Sequence, residues 1–272
     1  MKNLEQTIHD FVRRGFTPPT GKPGIAIHDD PEWRKLRETG SRLWLDTGDM
    51  DEAGKLWNSS FDALTTNNTL LNKEIQKGIY DKLVLEAAGA FPGIDVLEIA
   101  FILNAHHALR LVERFDANVS VELHTDLAND VERTVAYGKR YFAICPERFY
   151  VKVPLTPAGL ISARHLSDAG VPINFTLGFS ARHNYLAALL TRPAFVNVFL
   201  GRLNAFVADH KLGTGENVGE KAVRATQREI LALRKSGRSS SKLIAASIRS
   251  GAQVGACAGV DVLTIPTKAA AE

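Results

Sequence analysis

The 272-residue chain contains only two cysteines, Cys145 and Cys257. Two distant thiols provide neither a disulfide framework nor the paired spacing of a zinc site, and they suit a reducing compartment in which each is a small buried hydrophobe. The sequence also lacks an apolar run long enough to span a bilayer. Its first 24 residues carry acids and arginines throughout, without the apolar core of a signal peptide. We therefore expect a cytoplasmic protein with no membrane partner.

Two further kinds of signal are missing. The formal net charge is only +3, and no dense stripe of Lys and Arg with interleaved aromatics occurs, so we expect no nucleic-acid partner. The glycine-rich loops of nucleotide-binding open sheets are also absent, because "GTGENVG" has the wrong spacing and no G-x-x-x-x-G-K-[ST] is present. A doubly wound sheet is consequently the weaker of two alternatives for an α/β fold.

What the sequence does contain is a regular alternation of short β-rich runs with helix-like segments. Eight parallel strands alternating with helices close a barrel, so the predicted fold class is α/β, a single (β/α)8 TIM barrel over residues 41–272. Residues 1–40 form a predicted N-terminal helical extension, with an amphipathic helix, a Pro/Gly turn and a second short helix. The predicted strands are 42–46, 61–66, 119–123, 149–154, 172–177, 194–200, 242–247 and 260–265.

Two connecting segments carry weaker expectations. The stretch between the second and third strands is predicted to hold two helices, over 70–91 and 95–115. The segment "NAFVADHKLGTGENVGEKAV", residues 204–223, is predicted to be a long exposed loop because it is rich in glycine and polar residues.

Polar side chains fall at the carboxyl ends of most of the predicted strands. In a βα barrel the chemistry takes place at that end. A single aspartate there is ordinary, since aspartate often caps the following helix, but acids, amides, hydroxyls and a lysine on seven strands predict a site. The residues are Asp46, Thr65, Thr66, Asn67, Glu122, Lys152, Asn174, Thr176, Asn197, Arg202, Ser247 and Arg249.

Lys152 lies in the middle of the apolar run "FYVKVPLT". With the two-residue period of a strand, Lys152 shares a face with Tyr150 and Pro154, while the flanking valines take the other face. If the valines face the helices, the lysine faces the barrel interior, where burial lowers the pKa of an amine and favours its nucleophilic form. An amine flanked by Asp46 and Glu122 is equipped for Schiff-base chemistry on a carbonyl compound, with one carboxylate moving the proton for C–C cleavage. The alternative is an ordinary strand lysine that faces solvent.

Several blocks, in order from about residue 42 to residue 265, resemble the transaldolase family. They are "LWLDTGDMDEAGKLW", "ALTTNNTLLNKEI", "VSVELHTDLANDVE", "FYVKVPLTPAGLISARHLSDAGVPINFTLGFS", "NVFLGRL" and "AASIRS". The resemblance implies a (β/α)8 barrel that transfers a dihydroxyacetone unit between sugar phosphates through a lysine Schiff base. It implies no metal and no organic cofactor.

The resemblance also implies roles for individual residues. Lys152 is expected to form the imine with the ketose carbonyl, and Asp46 to act as general acid/base at the hydroxyl whose deprotonation breaks the C–C bond. Glu122 and Thr176 are expected to hold the water that serves imine formation and release.

The remaining residues are expected to bind the substrate. Asn67 and Asn174 correspond to residues that bind hydroxyls of the three-carbon unit. Arg202 and Arg249, with Ser247, are expected to bind the anionic end, because a guanidinium can donate two parallel hydrogen bonds to a tetrahedral oxyanion.

The sequence departs from the family pattern at two positions. The family's "TTNP" is "TTNN" here, so Asn68 replaces a rigid proline and the loop after the second strand is expected to differ. Asn197 stands where the family usually has serine, beside the donor's hydroxyls, and an amide is larger and adds two donors. The donor is therefore expected to be an anionic sugar, either a sugar phosphate or a sulfonated sugar.

Three alternatives stay open at this point. The related aldolases, which release free dihydroxyacetone, carry glutamine near Glu122 and tyrosine near Phe199, so the residues found here favour a transferase. A non-catalytic sugar-phosphate-binding barrel is a second alternative. A metal-dependent aldolase built on Glu122 and His124 is a third, although no third ligand is evident. The sequence leaves open whether residues 1–40 only pack against the barrel or contribute to a homo-oligomer interface.

Overall fold

Eight parallel strands close into a barrel in chain order in the computed structural model, which describes residues 4–18, 21, 25 and 27–272. All eight predicted strands are confirmed, each end within two residues of the expectation, and the fold is a (β/α)8 TIM barrel. The strands are β1 Arg42–Asp46, β2 Phe61–Thr65, β3 Asn118–Glu122, β4 Phe149–Pro154, β5 Ile173–Thr176, β6 Phe195–Phe199, β7 Lys242–Ala246 and β8 Val262–Pro266.

Helices follow the strands and surround the barrel. Several start at a side-chain cap; the Thr156 hydroxyl, for example, accepts a 2.8 Å hydrogen bond from Gly159 N, and Pro157 occupies the first helical position. None of the described helices combines the length and the apolar character needed to cross a bilayer. The helices are α1 Leu4–Val12, α2 Pro31–Glu38, α3 Met50–Leu56, α4 Asn68–Gln76, α5 Asp81–Ala90, α6 Val96–Phe115, α7 Val131–Ile144, α8 Pro157–Asp168, α9 Ala181–Thr191, α10 Leu200–Asp209, α11 Val218–Lys235, α12 Gly251–Ala256 and α13 Thr267–Ala270, with a short 3-10 helix at Thr125–Leu127.

The side chains of β4 alternate between the helices and the barrel interior, as the two-residue period of a strand predicts. Val151 and Val153 are fully buried against the helices, while Lys152 faces the inside of the barrel. Below the lysine, the amino-terminal half of the interior is filled by aromatic rings. Trp44 stacks on Tyr150 at a centroid distance of 5.5 Å and meets Phe195 edge-on at 4.8 Å. The barrel is therefore filled at its base by aromatic rings, and the cavity that Lys152 lines opens above them.

The prediction of two helices between β2 and β3 is wrong, because the structure has three. The predicted helix over residues 70–91 is divided into α4 and α5 at Gly78, whose φ of +75° lies in the left-handed region that glycine adopts at little cost.

The predicted long loop over residues 204–223 is also wrong in most of its length. Helix α10 continues to Asp209 and α11 begins at Val218, so only residues 210–217 form a loop. The polar residues that suggested a loop instead join the two helices. Asn204 accepts a 2.6 Å hydrogen bond from Gly219 N and donates one of 3.0 Å to Glu220.

The N-terminal helices pack against the barrel. In α1, Ile8 and Val12 are buried against α6 and α7, and Phe11 meets Phe91 edge-on at 5.4 Å. In α2, the ring of Trp33 lies 5.1 Å from that of Phe61, at the start of β2. The predicted Pro/Gly turn covers residues 17–24, and of these residues 19, 20 and 22–24 lie outside the described part of the chain. A domain boundary at residue 40 stays a prediction.

Candidate active site

The residues to which the sequence analysis assigned a catalytic or substrate-binding role surround adjoining cavities at the mouth of the barrel. Lys152 lines both a deep cavity of about 130 Å³ and a neighbouring one of about 420 Å³. The deep cavity also contains Asp46, Asn67, Asn174, Asn197, Phe199, Arg202 and Ser247. Glu122 and Thr176 line the second cavity, and Arg249 joins Arg202 in a third, outer cavity of about 520 Å³.

The amino group of Lys152 is held inside the barrel by two contacts. Lys152 as a whole is only 6% exposed to solvent. Nζ lies 3.3 Å from Glu122 Oε1 and donates a 3.1 Å hydrogen bond to the carbonyl of Thr66. The strand register places Glu122, Lys152 and Asn174 side by side on β3, β4 and β5. Lys152 is thus an interior residue and does not face solvent.

Asp46 sits at the end of β1, directly paired with Thr65 of β2. The Thr65 hydroxyl donates a 2.7 Å hydrogen bond to Asp46 Oδ1 and lies 2.6 Å from the hydroxyl of Thr264. The scarcity of water around Asp46 raises its pKa, and this outweighs the opposite effects of Lys152 and the Thr65 hydrogen bond. A carboxyl with a raised pKa is suited to exchange protons near neutral pH.

Thr65, one of the polar residues at the predicted strand ends, is the hydrogen-bond partner of Asp46. Thr264 was missed altogether. It lies in the apolar run of β8, where nothing in the local pattern distinguishes a hydroxyl that points into the mouth.

The Glu122 carboxylate oxygen that does not face Lys152 is held by Asn68. Glu122 Oε2 accepts hydrogen bonds from the backbone N–H of Asn68, at 3.0 Å, and from the Asn68 side-chain amide, at 3.2 Å. Its backbone carbonyl accepts a 2.8 Å bond from Asn104 of α6. The carboxylate is therefore fixed between the loop after β2 and the lysine.

Asn67 and Asn174 present complementary groups to the deep cavity. Asn67 Oδ1 caps α4 by accepting a 2.9 Å bond from Leu70 N, which leaves its amide nitrogen for a ligand. Asn174 donates 2.9 Å to the Ser120 hydroxyl, and its Oδ1 is buried without a partner among the described residues. One amide therefore offers a donor and the other an acceptor, as binding to a polyhydroxy ligand requires.

Asn197 is almost fully buried and ties two elements together. Its Oδ1 accepts a 3.1 Å hydrogen bond from Gly178 N, and its backbone carbonyl accepts one of 2.9 Å from Asn184. A Cβ at Gly178 would lie 1.9 Å from the Asn197 carbonyl, so the loop after β5 can approach β6 only with glycine there. With its oxygen engaged, Asn197 has its amide nitrogen as the end available to a ligand.

Two exposed arginines lie at the outer rim. Arg202 is in the first turn of α10, with its guanidinium 5.5 Å from the centre of the Phe199 ring. Arg249 follows β7, and a Cβ at Gly201 would lie 2.9 Å from its side chain and 2.2 Å from the carbonyl of Ser247. Glycine thus lets the start of α10 contact Arg249. Two guanidiniums beside a helix N-terminus have the charge and the hydrogen-bond donors that suit a tetrahedral anion.

The metal alternative finds little support in this geometry. His124 Nδ1 accepts a 3.3 Å hydrogen bond from Asp126 N and caps the short 3-10 helix. Across the part of the chain that the structure describes, no three His, Cys, Asp or Glu side chains come together in a metal-binding group. The ring of His107 is engaged elsewhere: its Nδ1 lies 2.6 Å from the buried Tyr80 hydroxyl, and burial lowers the pKa of His107 to about 4.

Comparison with known proteins identifies the family of the chain. A family model described as transaldolase/fructose-6-phosphate aldolase matches residues 43–272. A transaldolase of Xanthomonas euvesicatoria pv. vesicatoria is 32% identical over 247 residues, covering 85% of this chain and 74% of that protein. A probable transaldolase of Thermus thermophilus is 33% identical over 228 residues, covering 82% of this chain and 86% of that protein.

Proposed function

The chain belongs to the transaldolase/fructose-6-phosphate aldolase family, and we propose that it transfers a dihydroxyacetone unit from a ketose phosphate, such as fructose 6-phosphate, to an aldose acceptor. The observation that carries this proposal is the amino group of Lys152, buried in the barrel mouth at 3.3 Å from Glu122 and lining one cavity with Asp46. An enclosed amine between two carboxyls has the groups that imine chemistry needs.

In the first step, the Lys152 amine attacks the ketose carbonyl to give a carbinolamine. Loss of water then yields the imine, and a water must be added again when the imine is hydrolysed. Glu122 and Thr176, which line one cavity with Lys152, hold that water and pass its protons.

In the second step, Asp46 takes the proton from the hydroxyl on C4 of the ketose, the carbon that is joined to C3 by the bond that breaks. The C–C bond cleaves and the aldose leaves as an aldehyde. The electron pair of the broken bond stays on the three-carbon enamine bound to Lys152. Addition of the enamine to an acceptor aldehyde reverses these movements, and Asp46 returns the proton to the new hydroxyl.

The rim arginines select an anionic sugar. Arg202 lines the deep cavity together with Lys152 and Asn174, and it also lines the outer cavity, where Arg249 joins it. A sugar chain that extends outward from the imine therefore reaches the two arginines with its terminal group. A phosphate fits their bidentate donors, and a sulfonate has the same tetrahedral oxygens.

Aldolase activity, with release of free dihydroxyacetone, is the second candidate. Glu122 and Phe199 favour transfer, because the related aldolases carry glutamine and tyrosine near these positions. A purely binding role requires neither the Lys152–Glu122 pair nor the Asp46–Thr65 hydrogen bond. We also propose a cytoplasmic location, which suits two buried thiols whose pKa values burial raises to about 11.

The test is borohydride trapping with fructose 6-phosphate, followed by peptide mass mapping. We expect one reduced adduct, on the peptide that contains Lys152, and turnover that rises when an aldose phosphate acceptor is added. Lys152→Met is expected to fold, to form no adduct and to lose turnover by roughly a thousandfold or more.

Lys139→Met is the matched control, because Lys139 is exposed on α7, and it is expected to behave like the wild type. The absence of an adduct with phosphorylated and sulfonated ketoses alike, or an adduct on another lysine, would overturn the proposed mechanism.

A further inference from the structure

Asn68 makes three hydrogen bonds at the end of β3. Its backbone N–H and its side-chain amide both donate to Glu122 Oε2, at 3.0 Å and 3.2 Å, and the same amide donates to the carbonyl of Leu123 at 3.1 Å. One residue thereby joins the start of α4 to the last residue of β3 and to the residue after it. Glu122 and Lys152 are paired across β3 and β4, so this contact lies directly beside the amine.

These hydrogen bonds give the two carboxylate oxygens of Glu122 different roles. Oε2 receives two N–H donors, so it acts as an acceptor, and a proton cannot be placed between it and those donors. Oε1 is the oxygen that faces Lys152, at 3.3 Å. Proton exchange between Glu122 and a water beside the amine is therefore directed to Oε1, within the cavity that Thr176 also lines.

Position 68 is the first residue of α4, after the cap at Asn67. Proline is common at the first position of a helix, because the missing N–H costs little there. Proline would nevertheless supply neither of the two donors to Glu122, since it has no N–H and no amide. Asn68 keeps both.

We propose that Asn68 is a positioning residue that holds Glu122 Oε1 toward Lys152 and thereby speeds the water steps of imine formation and hydrolysis. This inference rests on the proposed Schiff-base function. It concerns only the steps in which water enters or leaves, and C–C cleavage at Asp46 is a separate event. The two can therefore be measured independently.

The experiment follows exchange of oxygen between the ketose carbonyl and ¹⁸O-labelled water, with fructose 6-phosphate and no acceptor. Each cycle of imine formation and hydrolysis replaces the carbonyl oxygen, whether or not the C–C bond breaks. We expect Asn68→Pro, which lacks both donors, to slow exchange by roughly 10- to 100-fold, as small misplacements of a catalytic group do. Asn68→Ala keeps the backbone donor and is expected to fall between the wild type and the proline variant.

Two controls separate this role from others. Asp46→Asn is expected to retain exchange while losing cleavage, which is the opposite pattern. Asn72→Ala, an exposed position on the same helix, is expected to match the wild type in exchange, cleavage and thermal stability.

Wild-type exchange rates in Asn68→Ala and Asn68→Pro would overturn the inference, and if the proline variant fails to fold, wild-type exchange in Asn68→Ala alone does so. Equal losses of exchange and of folded protein in both variants would also overturn it, because they indicate a structural role only. If the wild type itself exchanges no oxygen with any anionic ketose, the proposed function fails instead.

Discussion

Asp46 and Thr65 are register partners on β1 and β2, and the Thr65 hydroxyl donates a 2.7 Å hydrogen bond to the Asp46 carboxylate. The pairing follows from the barrel itself, because parallel neighbours bring the ends of adjacent strands to the same level. The hydrogen bond favours the ionised carboxylate, yet the surrounding protein raises the pKa of Asp46 overall. Asp46 is therefore a charge that the folded protein carries at a cost in stability.

Replacing Asp46 by Asn is expected to stabilise the protein at neutral pH while abolishing turnover. The folded-state pKa of Asp46 is raised, so the folded protein binds this proton more readily than the unfolded chain, and stability falls as pH rises through the raised pKa. Asp46→Asn removes that loss, so the variant is expected to have the larger free energy of unfolding at neutral pH.

Urea unfolding of both proteins between pH 8 and pH 4 tests this. The gain should be largest at pH 8 and shrink toward pH 4, because the folded wild type takes up a proton at Asp46 more readily than the unfolded chain as the pH falls. A gain independent of pH would show that it arises from something other than the charge of Asp46.

The position of the strands and of Lys152 was accessible to sequence reasoning for a simple reason. β-branched and aromatic residues mark each strand, and the period of two decides which side chains enter the barrel. The valines beside Lys152 are as buried as this reasoning requires, and the lysine lies between register partners Glu122 and Asn174.

Contacts between distant segments were not accessible in this way. Asn68 could be identified as a departure from a proline, but its bonds to Glu122 join residues 54 positions apart. Thr264 looks like any residue of an apolar strand, although its hydroxyl lies 2.6 Å from that of Thr65. Asn204 reads as a loop former, because a sequence does not show that α11 supplies a partner for its side chain.

Phe199→Tyr is expected to shift the activity from transfer toward release of free dihydroxyacetone. Phe199 lines both cavities that contain Lys152, so a hydroxyl on its ring can hold a water close to the enamine and favour its protonation over attack on an aldehyde. The quantity to measure is the ratio of free dihydroxyacetone to transferred product at a fixed acceptor concentration, which should rise severalfold.

Phe179→Tyr provides the matched control, because Phe179 packs edge-on against Phe199 at 6.1 Å but lines the outer cavity. Its product ratio should stay at the wild-type value. An unchanged ratio in Phe199→Tyr would remove this residue as the determinant of transfer.

Asn197→Ser is expected to change the preference for the dihydroxyacetone end of the donor and to leave the preference for the anion alone. Asn197 holds Gly178 with its oxygen and offers its amide nitrogen to the deep cavity, whereas Arg202 and Arg249 both line the outer cavity. A buried polar group left unpaired by a substrate costs affinity, so the kcat/KM ratio of fructose 6-phosphate to its 1-deoxy analogue should change by about tenfold or more.

The ratio of phosphorylated to sulfonated ketose should instead respond to Arg202→Lys, which removes the bidentate donor at the rim. Separate responses at the two ends would place the three-carbon unit against Asn197 and the anion against Arg202. If neither ratio changes in Asn197→Ser, the side chain serves only to tie the loop at Gly178 to β6, and the identity of the donor must be set by other residues of the mouth.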